Sequence, residues 1–216
     1  MGIEDLRVNK KWMDAAVIEK KSFEIIGGIL EERGITLPEK EAPVIKRCIH
    51  TTADFDYVDT LRFSDGAVDT LKKLIMNGAD VVTDTNMALT GINKNRLAKF
   101  GGTVHCYMAD PDVAREAKER ELTRAFVSME RAMRMDGPVI YVVGNAPTAL
   151  ISLMEASVND GYRPAFIIGV PVGFVNVEAA KELVLESDLD YIVNKGRKGG
   201  SNVAAAVFNA VLYQCD

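Results

Sequence analysis

The chain has 216 residues, 48% of them hydrophobic, and its 26 basic and 31 acidic side chains leave a formal charge of −5. That length buries a full core without help from a metal or disulfide, and the ordinary apolar fraction and small net charge exclude disorder as the main state. The acidic balance lacks the basic face that broad nucleic-acid binding requires, and no run of about 18 apolar residues offers a membrane span.

In chain order, Lys11 to Arg33 spaces Ala16, Phe23, Ile26 and Leu30 as a helix, which Gly34 stops. Pro38 and Pro43 mark an extended link, and Cys48-Ile49-His50-Thr51-Thr52 reads as a strand. Asp65 to Met76 reads as a helix with Ser64 as its N-cap and Val68, Leu71, Leu74 and Ile75 on one face. Asp80 to Asp84 is a strand, Leu97 to Phe100 a helical patch, and Thr103 to Met108 a further strand. Asp110-Pro111 opens a long helical region, with proline near its first turn. Strands at Val139–Val143, Ala165–Val170 and Tyr191–Val193 then alternate with helices at Pro147–Asn159, Val177–Glu186 and Asn202–Tyr213.

Strands that are almost continuously apolar, alternating with amphipathic helices, predict a mostly parallel sheet covered on both faces. No linker or internal repeat divides the chain, so residues 1–216 are expected to form a single doubly wound α/β domain. Cys48, Cys106 and Cys215 are odd in number and far apart, which fits reduced thiols and a cytoplasmic setting. With two histidines and no close ligand pair, no metal site is expected. Met1-Gly2-Ile3-Glu4-Asp5 has no basic start before an apolar stretch, and Leu6 replaces the Ser or Thr of a myristoylation signal, so neither a secretory leader nor a lipid anchor is expected.

Ligands of such a fold bind beyond the carboxyl ends of the strands. That directs attention to His50–Asp54, Asp84–Asn86, Met108–Asp110, Gly144–Thr148, Gly169–Gly173 and Asn194–Asn202. His50 is either a proton-exchanging group at a strand end or a half-buried imidazole bonded to a carbonyl. His105, between Val104 and Cys106, reads better as structural. Asp54, Asp56 and Asp59 suggest a magnesium site less well than they suggest capping and solvation. Gly144-Asn145-Ala146-Pro147-Thr148 either caps a helix or touches a ligand, and matches neither GxGxxG nor a Walker loop. Gly196-Arg197-Lys198-Gly199-Gly200-Ser201-Asn202 is either a cradle for an anion or a solvated loop, and Gly169 to Phe174 either lines a flat ligand or merely connects strand to helix. Taken alone, Ser22 and Arg124 are ordinary helix-surface residues.

Five segments in order carry a resemblance: Cys48 to Phe55, Asp84-Thr85-Asn86-Met87 with Gly91-Ile92, Gly144 to Leu150, Gly169 to Val175, and Gly196 to Ser201. Together they resemble the precorrin-8X methylmutase family, including the cobalt-precorrin-8 enzymes of the anaerobic route. The resemblance implies an isomerase of cobalamin biosynthesis that moves a methyl group from C-11 to C-12 of a tetrapyrrole, giving hydrogenobyrinate or cobyrinate. It also implies a homodimer with the pocket near the subunit interface and no separate organic cofactor. The family's catalytic histidine maps onto His50, and substrate contacts map onto Ser22, Thr85, Asn86, Arg124 and Asn145, with Arg197 and Lys198 near the carboxylates. The three aspartates after His50 depart from what a polyanionic substrate would ask of a neighbouring loop. Two other readings are a sugar-phosphate or nucleotide enzyme using the 196–201 turn, and a tetrapyrrole carrier without activity.

Overall fold

A computed structural model describes residues 14–216. The predicted helix start at Lys11 and the single tryptophan, Trp12, lie outside the described residues. The helices are α1 (Ala15–Glu32), α2 (Ala42–Thr52), α3 (Tyr57–Thr60), α4 (Ala67–Met76), α5 (Asn86–Gly91), α6 (Lys94–Leu97), α7 (Pro111–Glu119), α8 (Arg124–Ala132), α9 (Pro147–Asn159), α10 (Val177–Leu185) and α11 (Ser201–Leu212). The strands are β1 (Leu61–Phe63), β2 (Asp80–Thr83), β3 (Val104–His105), β4 (Val139–Val143), β5 (Phe166–Gly169) and β6 (Tyr191–Asn194). They form one sheet in the order β1-β6-β5-β4-β2-β3. Every neighbouring pair is parallel except β1 with β6.

Alternation along the strands divides the interior into two cores. Val81, Ile140, Val142, Phe166, Ile168 and Ile192 face α1, α2, α4 and α11. Val82, Tyr141, Val143, Ile167 and Val193 face α8, α9 and α10. Each strand is therefore apolar throughout, as a sheet covered on both faces requires. Helix α11 is the most buried of the helices, with ten of its twelve residues buried. Its alanines let neighbours approach closely: a Cβ added at Gly91 would lie 2.8 Å from the Cβ of Ala205.

Four local expectations are corrected. Cys48–Thr52 is the second half of α2 and not a strand. Pro43 sits in the first turn, Val44, Ile45, Cys48 and Ile49 bury one face, and the Thr51 and Thr52 hydroxyls donate back to the carbonyls of Arg47 and Cys48 at 2.8 Å each. That burial overrides the strand preference of the β-branched residues. Helix α4 begins at Ala67 behind Gly66, whose φ is 66°, and Ser64 caps nothing. Its hydroxyl instead accepts from the backbone N–H of Tyr191 at 2.9 Å, beside the short strand β1 that the sequence reading omitted. The strand expected over Thr103–Met108 contracts to two residues. The long helical region after Asp110 is two helices, separated where Glu121 takes a φ of 54°, so Arg124 is the first residue of α8 and not a position in the middle of a helix. Among the described residues, no helix is long and apolar enough to cross a membrane.

Candidate active site

Strand order reverses between β2 and β4, because β3 lies on one side of β2 and β4, β5 and β6 follow on the other. Such a reversal opens a crevice beyond the carboxyl ends of the two strands. At this point stands Asp84, wholly buried, directly after β2. Its Oδ1 accepts from the N–H of Gly144 at 2.9 Å, and its Oδ2 accepts from those of Asn145 and Ala146 at 2.7 and 2.6 Å. Burial pushes this carboxyl upward, while the three N–H donors pull the other way. Asp84 therefore shapes the β4–α9 loop from below and leaves Asn145 exposed at its crest.

Two arcs of side chains extend from Asp84 along the rim. In the first, Thr148 shares a 2.7 Å hydroxyl–hydroxyl bond with Thr123, and Thr123 caps α8 by accepting from the N–H of Phe126. Arg124, the first residue of α8, is exposed beside that cap. In the second, Thr85 caps α5 by accepting from the N–H of Ala88, and its hydroxyl meets that of Ser201 at 2.8 Å. Asn86 opens α5 and is exposed. Ser201 begins α11 at the end of the Gly196–Gly200 turn.

That turn is tied to the segment after His50. The Lys198 ammonium donates to Asp54 and Asp56 at 2.5 Å each, and the bond holds the Asp54 carboxyl below the usual carboxylate range. This lysine offsets part of the charge of the acidic loop that looked unfit for a polyanion, and Asp54, Asp56 and Asp59 still outnumber it. No group of His, Cys, Asp and Glu suited to a metal occurs among the described residues. Arg197 pairs with Glu178 at 2.9 Å and lies over the Phe174 ring. Both cations of the turn already have partners.

His50 occupies the last turn of α2, half-buried, with its ring stacked on Phe23 at 5.2 Å and 12°. The guanidinium of Arg47 lies 4.7 Å from the Phe23 ring, so α2 presents both groups to that one phenylalanine. Helix α2 ends at Ala53, whose left-handed φ of 56° turns the chain toward Asp54. Ser22 adjoins Phe23 on α1, and its hydroxyl donates to the Ile18 carbonyl at 2.9 Å. His105, expected to be structural, lies in β3, 3.7 Å from the carboxylate of Asp80 and stacked on Tyr107.

A cavity of about 710 Å³ does not include His50. It lies between the C-terminal parts of α9 and α10, lined by Ile151, Met154, Val158 and Leu183 among others, toward the start of the parallel strands. The rim itself is open surface in the single chain. Large apolar side chains stand exposed there: Met87 at 68%, Phe174 at 85% and Val175 at 78%.

Sequence reasoning missed Lys181. It is 0% exposed in α10, and its ammonium donates to the carbonyls of Gly196 and Lys198 at 2.7 and 2.8 Å. Burial lowers its pKa to about 8, against the opposing pull of Glu178. Its spacing from Val177, Ala180 and Val184 places it on the buried stripe of the helix, which was the available signal.

The model of the precorrin-8X methylmutase family matches residues 17–214. The cobalt-precorrin-8 methylmutase of Salmonella typhimurium is 44% identical over 201 residues, which cover 91% of this chain and 93% of that one. The precorrin-8X methylmutase of Pseudomonas aeruginosa is 35% identical, covering 92% and 95%. A solved precorrin-8X methylmutase from Thermus thermophilus superposes with a TM-score of 0.80 at 40% identity, covering 91% of this chain and 96% of that one. With the doubly wound sheet, these similarities show that the chain belongs to the precorrin-8X/cobalt-precorrin-8 methylmutase family, whose members are isomerases of corrin biosynthesis.

Proposed function

We propose that this methylmutase of cobalamin biosynthesis moves a methyl group from C-11 to C-12 of precorrin-8X or its cobalt form, with His50 as the proton donor. The observation that carries the assignment is the placement of His50. It lies half-buried against Phe23, at the end of the helix that leads into Asp54 and Asp56, which Lys198 joins to the rim turn. A shift between adjacent ring carbons is a rearrangement that needs no nucleophile. The protein's task is to hold one tautomer of the ring and to protonate a ring nitrogen while the methyl moves, then to take the proton back. Imidazole exchanges protons near neutral pH, and general acid catalysis of this kind is worth about 10²–10⁴-fold. Orientation and exclusion of water supply the remainder.

Thr85, Asn86, Arg124 and Asn145 would bind the macrocycle and its carboxylates along the two arcs, and Ser22 would do so from α1 beside Phe23 and His50. Arg197 and Lys198 would meet a carboxylate only by exchanging partners with Glu178 and with Asp54 and Asp56. A flat pigment on an open rim needs a second wall, and the exposed Met87, Phe174 and Val175 favour a homodimer that provides it. The test is His50→Ala assayed with purified precorrin-8. Turnover should fall by at least about 100-fold while the fold and corrinoid binding persist. Near-normal isomerisation would overturn the role of His50, and a fully active monomer would overturn the shared wall.

A further inference from the structure

Four successive carbonyls in the turn between β6 and α11 accept hydrogen bonds from the protein beneath or beside them. That of Lys195 accepts from Asn194 Nδ2 at 3.3 Å, and that of Gly196 from Lys181 Nζ at 2.7 Å. That of Arg197 accepts from the N–H of Gly173 at 3.2 Å. That of Lys198 accepts from both Lys181 Nζ, at 2.8 Å, and Asn194 Nδ2, at 2.9 Å. At the ends of the turn, the N–H of Lys195 donates to Thr60 and that of Gly200 to Val170, at 2.8 and 2.9 Å. Between them, the N–H groups of Gly196, Arg197, Lys198 and Gly199 have no acceptor among the described residues.

The cationic side chains of the turn are each paired with a carboxylate: Lys195 with Glu182, Arg197 with Glu178, Lys198 with Asp54 and Asp56. What remains to meet an anion is the backbone. Lys181 decides which way that backbone faces. An ammonium buried in the apolar stripe of α10 is unfavourable in itself, where a methionine would pack without a desolvation penalty. Its two bonds reach the carbonyls on either side of Arg197, so the peptide planes of the turn are held from inside.

We propose that Lys181 is a positioning residue: by fixing the carbonyls of Gly196 and Lys198 inward, it sets the two peptide planes that carry the N–H groups of Arg197 and Gly199, and, together with Asn194 and Gly173, which hold the carbonyls of Lys195 and Arg197, it keeps residues 196–199 as a preformed row of donors for a carboxylate of the substrate. Backbone N–H groups arranged in this way form anion-binding concavities. The inference rests on the corrinoid reading given above, and it names the chain's own device for gripping one edge of a polycarboxylate.

The test uses the full chain with cobyrinate as the probe, followed by absorbance, together with steady-state turnover. Lys181→Met should weaken cobyrinate binding and raise KM by about tenfold or more, the worth of one hydrogen bond to a charged group, while kcat at saturation changes less than about threefold. Lys181→Arg, which keeps a donor of comparable reach, should restore part of the affinity. A purely structural role would lower the melting temperature and the active fraction and leave KM unchanged. In the wild-type protein, cobyrinate should slow amide hydrogen exchange across residues 195–200, a readout that stands even if the methionine variant fails to fold. Unchanged affinity in a folded Lys181→Met, or bound cobyrinate without protection of these amides, would overturn the proposal and leave the corrinoid reading intact. Failure of the wild type to bind cobyrinate at all would remove the corrinoid reading, and this proposal with it.

Discussion

Replacing Asp84 tests whether the switch point is held by one carboxylate. Three hydrogen bonds to a charged acceptor are worth about 1.5–3 kcal/mol each, but burying the carboxylate costs several kcal/mol, so its net contribution is far below their sum. The loss on substitution is set by what is left unpaired. Gly144 is buried, so its N–H is stranded in Asp84→Ala at about 1–3 kcal/mol, whereas Asn145 is exposed and Ala146 half-buried, and water can serve both. Adding the void left by the carboxylate gives an expected loss of about 2–4 kcal/mol. Asp84→Asn is the sharper variant. Whichever way the amide is turned, its NH2 group opposes at least one backbone N–H, since both carboxylate oxygens are acceptors in the wild type. It should lose about 1–3 kcal/mol without any change in volume. Urea unfolding reads both as a lower midpoint at constant slope. If both variants stay within about 0.5 kcal/mol of wild type, the carboxylate does not organise this loop and the reasoning fails. In folded variants KM should also rise, because Asn145 and, through Thr148 and Thr123, Arg124 depend on the same loop.

Glycine substitutions separate close packing from helix propensity. A Cβ on Gly144 would lie 2.6 Å from Ser201 Cα and 2.9 Å from the Gly200 carbonyl oxygen, so Gly144→Ala should cost about 1–3 kcal/mol and lower the melting temperature by several degrees. Gly28, inside α1 with nothing within 4 Å of an added Cβ, should give about 0.5–1 kcal/mol of added stability as alanine, and a loss there would contradict the open surroundings. Lys181 also predicts a pH dependence. Its folded pKa of about 8 lies below the unfolded value near 10.5, so between those values the unfolded chain binds more protons. Wild-type stability should therefore rise relative to folded Lys181→Met from pH 8 toward pH 10.5, by at most about 3 kcal/mol. A flat difference between the two stability profiles would show that the ammonium is not desolvated. The neutral amine keeps two N–H donors, so the turn should hold its shape across this range.

The interior strands were legible because they are buried on both faces. Val139–Val143 and Phe166–Gly169 are runs of β-branched and aromatic residues with no charged side chain, and Pro147 marks the start of α9 in the sequence itself. Helix α2 was misread because Ile49, Thr51 and Thr52 carry strand preference, while burial at Val44, Ile45, Cys48 and Ile49 carries the helix. Strand β1 was missed because three residues leave almost no periodic signal, and its partner β6 lies far along the chain: Leu61 pairs with Asn194 and Phe63 with Ile192. At the site, His50 was expected at a strand end and closes a helix, and Ser22 and Arg124 entered only through the resemblance, whereas the rim positions after β2, β4, β5 and β6 followed from the strand ends. The bonds that shape the rim did not, since Asp84 reaches Gly144 and Lys198 reaches Asp54 only after the sheet has assembled. Lys181 was hidden by its residue type, because lysine usually marks solvent and here occupies an apolar stripe.

The place of α11 bears on how this molecule is made. It fills the middle of one core, packed against α2, α4 and α5 and the faces of β4 and β5, yet it is the last of the described elements to leave the ribosome. Until residue 212 has emerged, a nascent chain carries a nearly complete sheet with one greasy side unsheltered. Shielding by chaperones should matter most in that interval, and a premature stop before Ser201 should leave aggregate instead of a smaller folded body.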